Sequence, residues 1–281
     1  MLELNGQDWK ELSALREAFL KGSPSPYWTS ERRLELYHHT FGQRIGWKWE
    51  AVIQDLKRLG WQPETDTVFD WGCGTGIATS TFVRLFPQIK NAEFYDRSKT
   101  AVDFARGHVE LPTSGEAPYT LLISHVTTEL DQKSFRQLDQ KITTARAVIW
   151  VEPGTPEVSK RLVEIRERLK GSFAIVAPCP KLETCPLVTS STKHWCHQYA
   201  SVPNEVFQSS FWTKWGREMG IDLRSLPYSY LVLDKRHNFS SVPRRILGRP
   251  HKKKREEAWV ECTPGGVITR REGTAYLPGA S

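Results

Sequence analysis

The stretch Thr67-Val-Phe-Asp-Trp-Gly-Cys-Gly-Thr-Gly76 decides the fold of this chain, because an apolar run leads directly into three closely spaced glycines. Residues 67–71 are rich in β-branched and aromatic side chains, which predicts a short buried strand. The apolar spacing over 77–86 predicts the helix that follows. Gly72 and Gly74 permit a tight turn, and Gly76 permits close packing of helix on strand. The stretch therefore predicts a strand–loop–helix unit with a ligand on its loop.

An acidic residue accompanies this loop. Asp96 closes the next predicted strand, 24 residues after Gly72, where a carboxylate can accept hydrogen bonds from ribose hydroxyls. Dinucleotide sites use Gly-x-Gly-x-x-Gly, whereas this loop has Gly-x-Gly-x-Gly. That spacing resembles motif I of the Rossmann-like methyltransferases, whose cofactor is S-adenosylmethionine. The cofactor-binding residues that this resemblance implies are Asp70, Gly72, Cys73, Gly74, Gly76 and Asp96, with the Cys73 side chain as a small filler.

Strands and helices alternate from residue 63 onward. Further strands are predicted at 92–95, 119–126, 147–152, 172–177 and 228–233, and further helices at 99–106, 132–144 and 156–170. This alternation predicts an α/β fold with a parallel sheet covered on both faces, here a Rossmann-like S-adenosylmethionine-dependent methyltransferase fold. The expected domains are an N-terminal helical layer (1–62), a methyltransferase-like core (63–235) with a cysteine-rich insertion (178–227), and a basic C-terminal β extension (236–281).

Polar residues follow two of these strands. Ligands of open parallel sheets bind beyond the carboxyl ends of the strands, so Ser124, His125 and residues 152–155 are expected to line one crevice. Ser124 is assigned to the cofactor site, while His125 is either a functional group or a hydrogen-bonded structural histidine. Glu129 and Glu152 are candidate polar groups without an assigned role. Because the chain carries no Asn/Asp-Pro-Pro-aromatic motif at this place, no catalytic residue is assigned.

Three of the five cysteines, Cys179, Cys185 and Cys196, lie within 18 residues. Their segment contains three prolines and many polar residues, so it does not resemble a core strand. Packing cysteines and a disulfide are the alternatives. The N-terminus lacks the features of a signal peptide, which predicts a cytoplasmic location and disfavours disulfides. Thiolates in such a cluster predict tetrahedral zinc or an iron–sulfur cluster.

The net charge of +7 is concentrated at the C-terminal end. Residues 244–255 contain seven basic residues and no acid, a run that either is a solvated face or neutralises phosphates of RNA. The predicted RNA-binding residues are Arg244, Arg245, Arg249, Lys252, Lys253, Lys254 and Arg255. Arg44 and Lys48 in the helical layer are expected on a solvated surface, with a partner contact as the alternative. No apolar run is long enough to span a membrane.

The glycine loop, Glu152-Pro-Gly-Thr-Pro156, Ala177-Pro-Cys-Pro180, Cys185-Pro-Leu187 and Trp195-Cys-His197 occur in this order. Together they resemble the methyltransferase-like proteins of the small ribosomal subunit, known in mitochondria and bacteria. The resemblance implies a [4Fe–4S] cluster on Cys179, Cys185, Cys196 and Cys262. Replacement of a thiolate by His194 or His197 would favour zinc instead. If Cys262 is a ligand, the extension must fold back onto the cysteine-rich segment.

Two hypotheses about function follow. The first is an S-adenosylmethionine-dependent methyltransferase that acts on RNA of the small ribosomal subunit. The second is a non-catalytic assembly factor of that subunit with a structural zinc site. The missing catalytic motif favours the second hypothesis, whereas the glycine loop with Asp96 indicates that a cofactor is still bound. Under both, the partner is the small subunit, no membrane is involved, and the protein is a monomer away from the ribosome.

Overall fold

The computed structural model describes residues 3–21, 27–115, 118–179, 183–189, 194–237, 239, 244–253, 256–263 and 268–272, with residues 251–253, 256–257 and 268–272 as backbone only. The helices of four or more residues are α1 (Gly6–Lys21), α2 (Glu31–Tyr37), α3 (Gln43–Arg58), α4 (Ile77–Leu85), α5 (Lys99–Val109), α6 (Gln132–Thr144), α7 (Pro156–Leu169), α8 (Pro186–Thr189), α9 (Asn204–Gln208) and α10 (Ser210–Glu218). A π-helical turn (His38–Gly42) joins α2 to α3, and a 3-10 turn (Thr127–Glu129) follows the third strand.

The strands form two sheets. They are β1 (Thr67–Trp71), β2 (Asn91–Tyr95), β3 (Thr120–Ser124), β4 (Ala147–Pro153), β5 (Ala174–Ala177), β6 (Gln198–Tyr199), β7 (Pro227–Asp234), β8 (Arg245–Lys253), β9 (Glu256–Cys262) and β10 (Ile268–Glu272). The main sheet has the order β2-β1-β3-β4-β7-β5, with β6 paired to β7, and the small sheet has the order β10-β9-β8. The predicted strands and helices of the core are present, with bounds that differ by a few residues.

One strand corrects the prediction of a wholly parallel sheet. The strands β1 to β4 are parallel, but β7 lies between β4 and β5 and is antiparallel to both. Its first residues pair with the end of β4, at Pro153 and Tyr228, so the chain enters the sheet at the carboxyl edge and must run backward. An antiparallel pair needs no crossover helix, and alternation of elements alone does not reveal it.

The helical layer is packed against the core through apolar faces. Ser30 caps α2, because its side chain accepts a hydrogen bond from the Arg33 amide. The helix α3 buries Trp49, Val52, Ile53 and Leu56 in the main core. A separate cluster joins α1 and α2 to α10 through Leu12, Leu36, Trp215 and Met219. This layer therefore lies over the sheet end at which the glycine loop is located.

The small sheet is attached to α3 by a buried ion pair. Arg245 at the start of β8 donates to the Asp55 carboxylate at 2.9 Å, and Asp55 also accepts a hydrogen bond from the Tyr230 hydroxyl. Asp55 is 5% exposed, so the attraction acts away from water. The described part of the expected basic β extension (236–281) contains the strands β8, β9 and β10. No described helix is both long and apolar enough to cross a membrane.

Candidate functional site

The glycine loop has a backbone conformation that other residues rarely adopt. The φ angles of Gly72, Gly74 and Gly76 are +71°, +49° and +71°. A Cβ added at Gly72 would lie 2.4 Å from Cγ1 of Val126. The amides of Gly72 and Cys73 both donate to the Tyr95 carbonyl, which binds the loop to the end of β2. Because its glycines have no side chains, the loop leaves free space at the carboxyl edge of the sheet.

Asp96 lies across from this turn. One carboxylate oxygen accepts from the Gly74 amide at 3.0 Å and the other from the Ser98 amide at 2.9 Å. Burial raises the pKa of Asp96, and the two backbone hydrogen bonds oppose that shift. Each carboxylate oxygen has a second lone pair, so Asp96 retains capacity to accept bonds from a diol. The arrangement suits a ribose.

Asp70 and Cys73 support the loop from inside the protein. Asp70 is fully buried; its Oδ2 accepts from the Thr79 hydroxyl at 2.7 Å, and its Oδ1 has no partner among the described residues. Burial raises the pKa of Asp70 to about 7. Cys73 is 5% exposed, and burial raises the pKa of its thiol. Asp70 and Cys73 are therefore less accessible than Asp96 to a ligand in the crevice.

The end of β3 contacts helix α3 through polar groups. The Ser124 hydroxyl accepts from the Trp49 indole at 2.9 Å, and the Lys48 ammonium lies 3.0 Å from Nε2 of His125. His125 has φ +56°, a conformation that is uncommon for residues other than glycine. Burial lowers the pKa of Lys48 to about 7 and holds the pKa of His125 well below its usual range.

A buried carboxylate holds the turn that follows β3. Oε1 of Glu152 accepts from the amides of Val126 and Thr127 and from the Trp150 indole, at 3.0, 3.2 and 2.7 Å. Burial raises the pKa of Glu152 to about 7. Because Val126 is the residue that faces Gly72, Glu152 positions one wall of the glycine loop. This gives Glu152 a structural role at the site that the sequence left unassigned.

Aromatic residues that precede α2 cover the crevice. Cζ2 of Trp28 lies 3.7 Å from the Cβ position of Gly74. The adjacent Tyr27 donates its hydroxyl hydrogen to the Glu129 carboxylate at 2.8 Å. Trp28 also packs edge-on against Tyr37 of α2. A ligand on the loop would share its apolar wall with Trp28. Sequence reasoning missed this cover because nothing local connects residue 28 to residue 74.

The four predicted cluster cysteines come together from three parts of the chain. Cys179, Cys185 and Cys196 line one cavity of about 30 Å³, and Cys196 packs against the apolar cluster that contains Cys262. Among the described residues, Cys179, Cys185 and Cys196 form no disulfide. Burial raises the pKa of Cys185 and Cys196, and the neighbouring thiols add to the shift. Within the described ranges, no group of three or more His, Cys, Asp or Glu forms a site that could hold a metal ion.

The basic run is divided between internal and external contacts. Arg245 is largely buried against Asp55 and Pro178, so its charge is used inside the protein. Arg244 forms an ion pair with Glu261 at 3.3 Å. Arg249 is exposed and lies over the Tyr199 ring at 4.1 Å. Lys252 and Lys253 are described as backbone of β8, while Lys254 and Arg255 lie outside the described residues.

Comparison with known proteins adds a family to this geometry. A family model described as "Mitochondrial small ribosomal subunit Rsm22" matches residues 44–278, more than four-fifths of the chain. The chain belongs to the Rsm22 family. The Rsm22 match includes the glycine loop, every cysteine and the basic run. The description of this family names mitochondria, so it gives no support to the cytoplasmic location that the sequence predicted. No curated protein sequence matches the chain.

Solved structures that resemble this Rsm22-family chain are distant from it. The plantazolicin methyltransferase BamL, in complex with triazolic desmethylPZN analog and SAH, is 10% identical, with 82% of this chain and 97% of that chain covered and a TM-score of 0.45. The methyltransferase domain of bacterial CtHen1 is 12% identical (68% and 99% covered, TM-score 0.41). A SAM-dependent methyltransferase from Archaeoglobus fulgidus is 17% identical (71% and 100% covered, TM-score 0.37). The predicted Rossmann-like α/β class is confirmed by the sheet order itself.

The basic residues of α3 correct a prediction. Arg44 and Lys48 were expected on a solvated surface, but each is 9% exposed. They lie one helical turn apart on the same side of α3 as Trp49 and Val52, which are fully buried. The periodicity of the apolar residues was the signal that could have revealed this placement, because it assigns positions 44 and 48 to the buried face.

Proposed function

We propose that this Rsm22-family protein binds S-adenosylmethionine beside Gly72 and acts on RNA of the small ribosomal subunit. The observation that carries the proposal is the glycine turn, which only residues without side chains can form against Val126, with the Asp96 carboxylate beside it. The family description names the small ribosomal subunit, which supports the choice of partner. The exposed Arg249 supplies charge for phosphate contacts, and Lys252, Lys253, Lys254 and Arg255 would add to it, whereas Arg244 and Arg245 are engaged in ion pairs.

The residues of the crevice have distinct parts in this function. The cofactor would supply an electrophilic methyl group. Asp96 would accept hydrogen bonds from the ribose hydroxyls, and the glycine loop would take the amino-acid part. Trp28 covers Gly74 and excludes water from the loop, while Glu152 fixes the wall at Val126. These are binding and positioning roles.

We further propose that Cys179, Cys185, Cys196 and Cys262 hold a [4Fe–4S] cluster. Cys179, Cys185 and Cys196 line one cavity, and Cys196 packs against the apolar cluster that contains Cys262, which supports this proposal. A cluster binds each thiolate on a separate iron, so its ligands need not meet at one point. Cluster binding would then stabilise the docked extension, because ligands from both segments are needed.

A second function is favoured by one observation. The end of β3 has Ser124 bonded to Trp49 and no Asn/Asp-Pro-Pro-aromatic motif in the sequence at 124–129. A non-catalytic assembly factor, with zinc at the cysteines, would retain the fold and the ribosome contact without methyl transfer. The two functions differ in whether labelled methyl groups reach the RNA.

The test uses the full-length protein, small ribosomal subunits and S-adenosylmethionine with a tritiated methyl group. Gly74→Arg should abolish labelling of the RNA while binding to the subunit persists, because the arginine side chain would fill the loop below Trp28. Gly107→Arg is the matched control, since a side chain there meets open space on α5. Labelling that is absent from the wild type, with subunit binding intact, would establish the non-catalytic function instead.

A further inference from the structure

Two basic side chains are buried on α3 without an acidic partner within the described part of the chain. Nη2 of Arg44 donates to the Ser225 carbonyl at 2.8 Å, whereas its Nη1 is buried and has no partner. Lys48 has His125 as its hydrogen-bond partner. A buried charge is costly unless an opposite charge compensates it. Arg44 therefore carries a positive charge without compensation, and Lys48, whose pKa burial lowers to about 7, would be fully protonated once an anion binds beside it.

The acids nearest to the two cations do not compensate them. Glu152 acts on Lys48 at a distance, but its Oε1 already accepts three hydrogen bonds. Asp222 acts on Arg44, but it bonds to Arg224 at the surface. Burial lowers the pKa of Arg44 to about 10, so its guanidinium keeps its proton at neutral pH. His125 also carries no negative charge. Arg44 and Lys48 therefore lack a compensating negative charge, which an anion from outside the chain would supply.

The position of the cations connects them with the cofactor crevice. His125, the partner of Lys48, directly precedes Val126, which faces Gly72. The turn before α3 also reaches the loop, since a Cβ at Gly42 would lie 3.7 Å from the Thr75 hydroxyl. Arg44 reaches Ser225, next to the start of β7 at the carboxyl end of β4. The two cations thus belong to the sheet edge at which ligands of this fold class bind.

We propose that Arg44 and Lys48 form an oxyanion subsite of the crevice, which binds the carboxylate of the cofactor's amino-acid part. The proposal rests on the proposed function, since it assumes that the cofactor binds beside Gly72. A phosphate of the RNA acceptor has the same chemistry and is the other source of an oxyanion here. Arginine and lysine both form charge-assisted hydrogen bonds with either group.

The test compares two ligands that differ in the oxyanion. S-Adenosylhomocysteine has the carboxylate, and methylthioadenosine lacks the whole amino-acid part. Calorimetric titration should show that Arg44→Met and Lys48→Met each weaken the binding of S-adenosylhomocysteine by about tenfold or more, which corresponds to about 1.4 kcal/mol. The affinity for methylthioadenosine should stay unchanged. Lys57→Met is the matched control, because Lys57 is an exposed lysine of the same helix.

The stability of the free protein separates a binding role from a structural one. Removal of an uncompensated buried charge in favour of an apolar side chain is neutral or stabilising. Both methionine variants should therefore melt at the wild-type temperature or higher without ligand. Variants that melt lower and bind S-adenosylhomocysteine as the wild type does would overturn the proposal, because the two cations would then be structural.

A second arm uses inorganic phosphate as the probe and the melting temperature as the measurement. Stabilisation by phosphate that is lost in both variants, with S-adenosylhomocysteine unaffected, would keep the oxyanion subsite and assign it to RNA phosphate. A wild type that does not bind S-adenosylhomocysteine would refute the cofactor part of the proposed function, and the phosphate arm would still decide the subsite. No difference between the variants and the wild type for any probe would refute the subsite.

Discussion

The glycine-loop crevice and the cysteine region are assembled in different ways. Gly74 and Asp96 lie 22 residues apart, each just after one of two consecutive strands, and the Gly74 amide donates a hydrogen bond to the Asp96 carboxylate. Cys179 and Cys262 are 83 residues apart, and the chain between them includes β7 of the main sheet. The crevice is thus a product of one βαβ unit, whereas the cysteine region exists only when the extension is docked. Substitutions in the cysteine region should therefore affect folding of the extension more than ligand binding in the crevice.

The largest effect is expected from the loss of one cluster cysteine. Cys262→Ser should release the small sheet from the core and make β8 and β9 sensitive to limited proteolysis, because the extension would lose its proposed cluster ligand. Binding of S-adenosylhomocysteine to the crevice should remain. Cys73→Ser is the matched control, since this buried cysteine lies in the glycine loop. Equal protease resistance of Cys262→Ser and the wild type would show that the extension docks without the cluster.

The next effect concerns the ion pair that holds β8 on α3. Arg245→Met should lower the free energy of unfolding by up to about 3 kcal/mol, because buried Asp55 would keep only the exposed Arg58 as its ion-pair partner. The double variant Asp55→Asn/Arg245→Met should recover part of that loss. Urea denaturation of the three proteins measures both values. A single-variant change below about 1 kcal/mol would mean that the contact contributes like a surface ion pair.

A pH effect on stability is expected from the crevice side. Folded Asp70 keeps its proton up to about pH 7, whereas the unfolded chain releases it near 3.8, so the free energy of unfolding should fall as the pH rises from about 4 to 7. Asp70→Asn retains an acceptor for Thr79 and should remove the share of this fall that Asp70 contributes, on the order of 4 kcal/mol, while the share of Glu152 remains. Urea denaturation across this range, with the exposed Glu205→Gln as control, tests it. A fall unchanged by Asp70→Asn would refute the assignment.

The smallest effect concerns the loop geometry alone. Gly72→Ala should weaken the binding of S-adenosylhomocysteine by about tenfold, because the new methyl group would displace Val126 and the turn that Glu152 holds. Gly60→Ala shares the left-handed φ, at +70°, but its Cβ meets open space. It should lose stability of about 1–2 kcal/mol and keep its affinity. Similar affinity in the two variants, by calorimetry, would show that the contact with Val126 does not shape the site.

The sequence predicted the local parts of this molecule well. Each strand–helix step from Thr67 to Ala177 has its own apolar period and turn residues, so the βα units and the glycine loop could be placed without tertiary information. The antiparallel direction of β7 could not, because pairing partners are set by where the chain returns to the sheet. The burial of Lys48 and the cover by Trp28 are long-range features of the same kind.

The candidate site likewise has local features, which the sequence predicts, and long-range features, which it does not. Residue types and spacing pointed to Asp96 as a ribose-binding carboxylate and to the clustered cysteines as ligands, because each pattern lies in a short stretch of the chain. The exposure of individual cations was not predicted correctly, because Arg44 and Lys48 are buried and Arg245 is partly buried in an ion pair with Asp55. A charged residue type indicates that burial is costly, but the sequence does not show whether a tertiary partner offsets that cost. Exposed Arg249 and partly buried Arg245 differ by four positions in one strand.

The most direct test of the account is the iron and sulfide content of anaerobically purified protein. We expect about four irons and four sulfides per chain, retained in Cys73→Ser and lost in Cys262→Ser, because the proposed cluster would have Cys262 as one of its four ligands. A single zinc, or no metal, in the wild type would contradict the account, since the cysteine region would then be assembled without an iron–sulfur cluster.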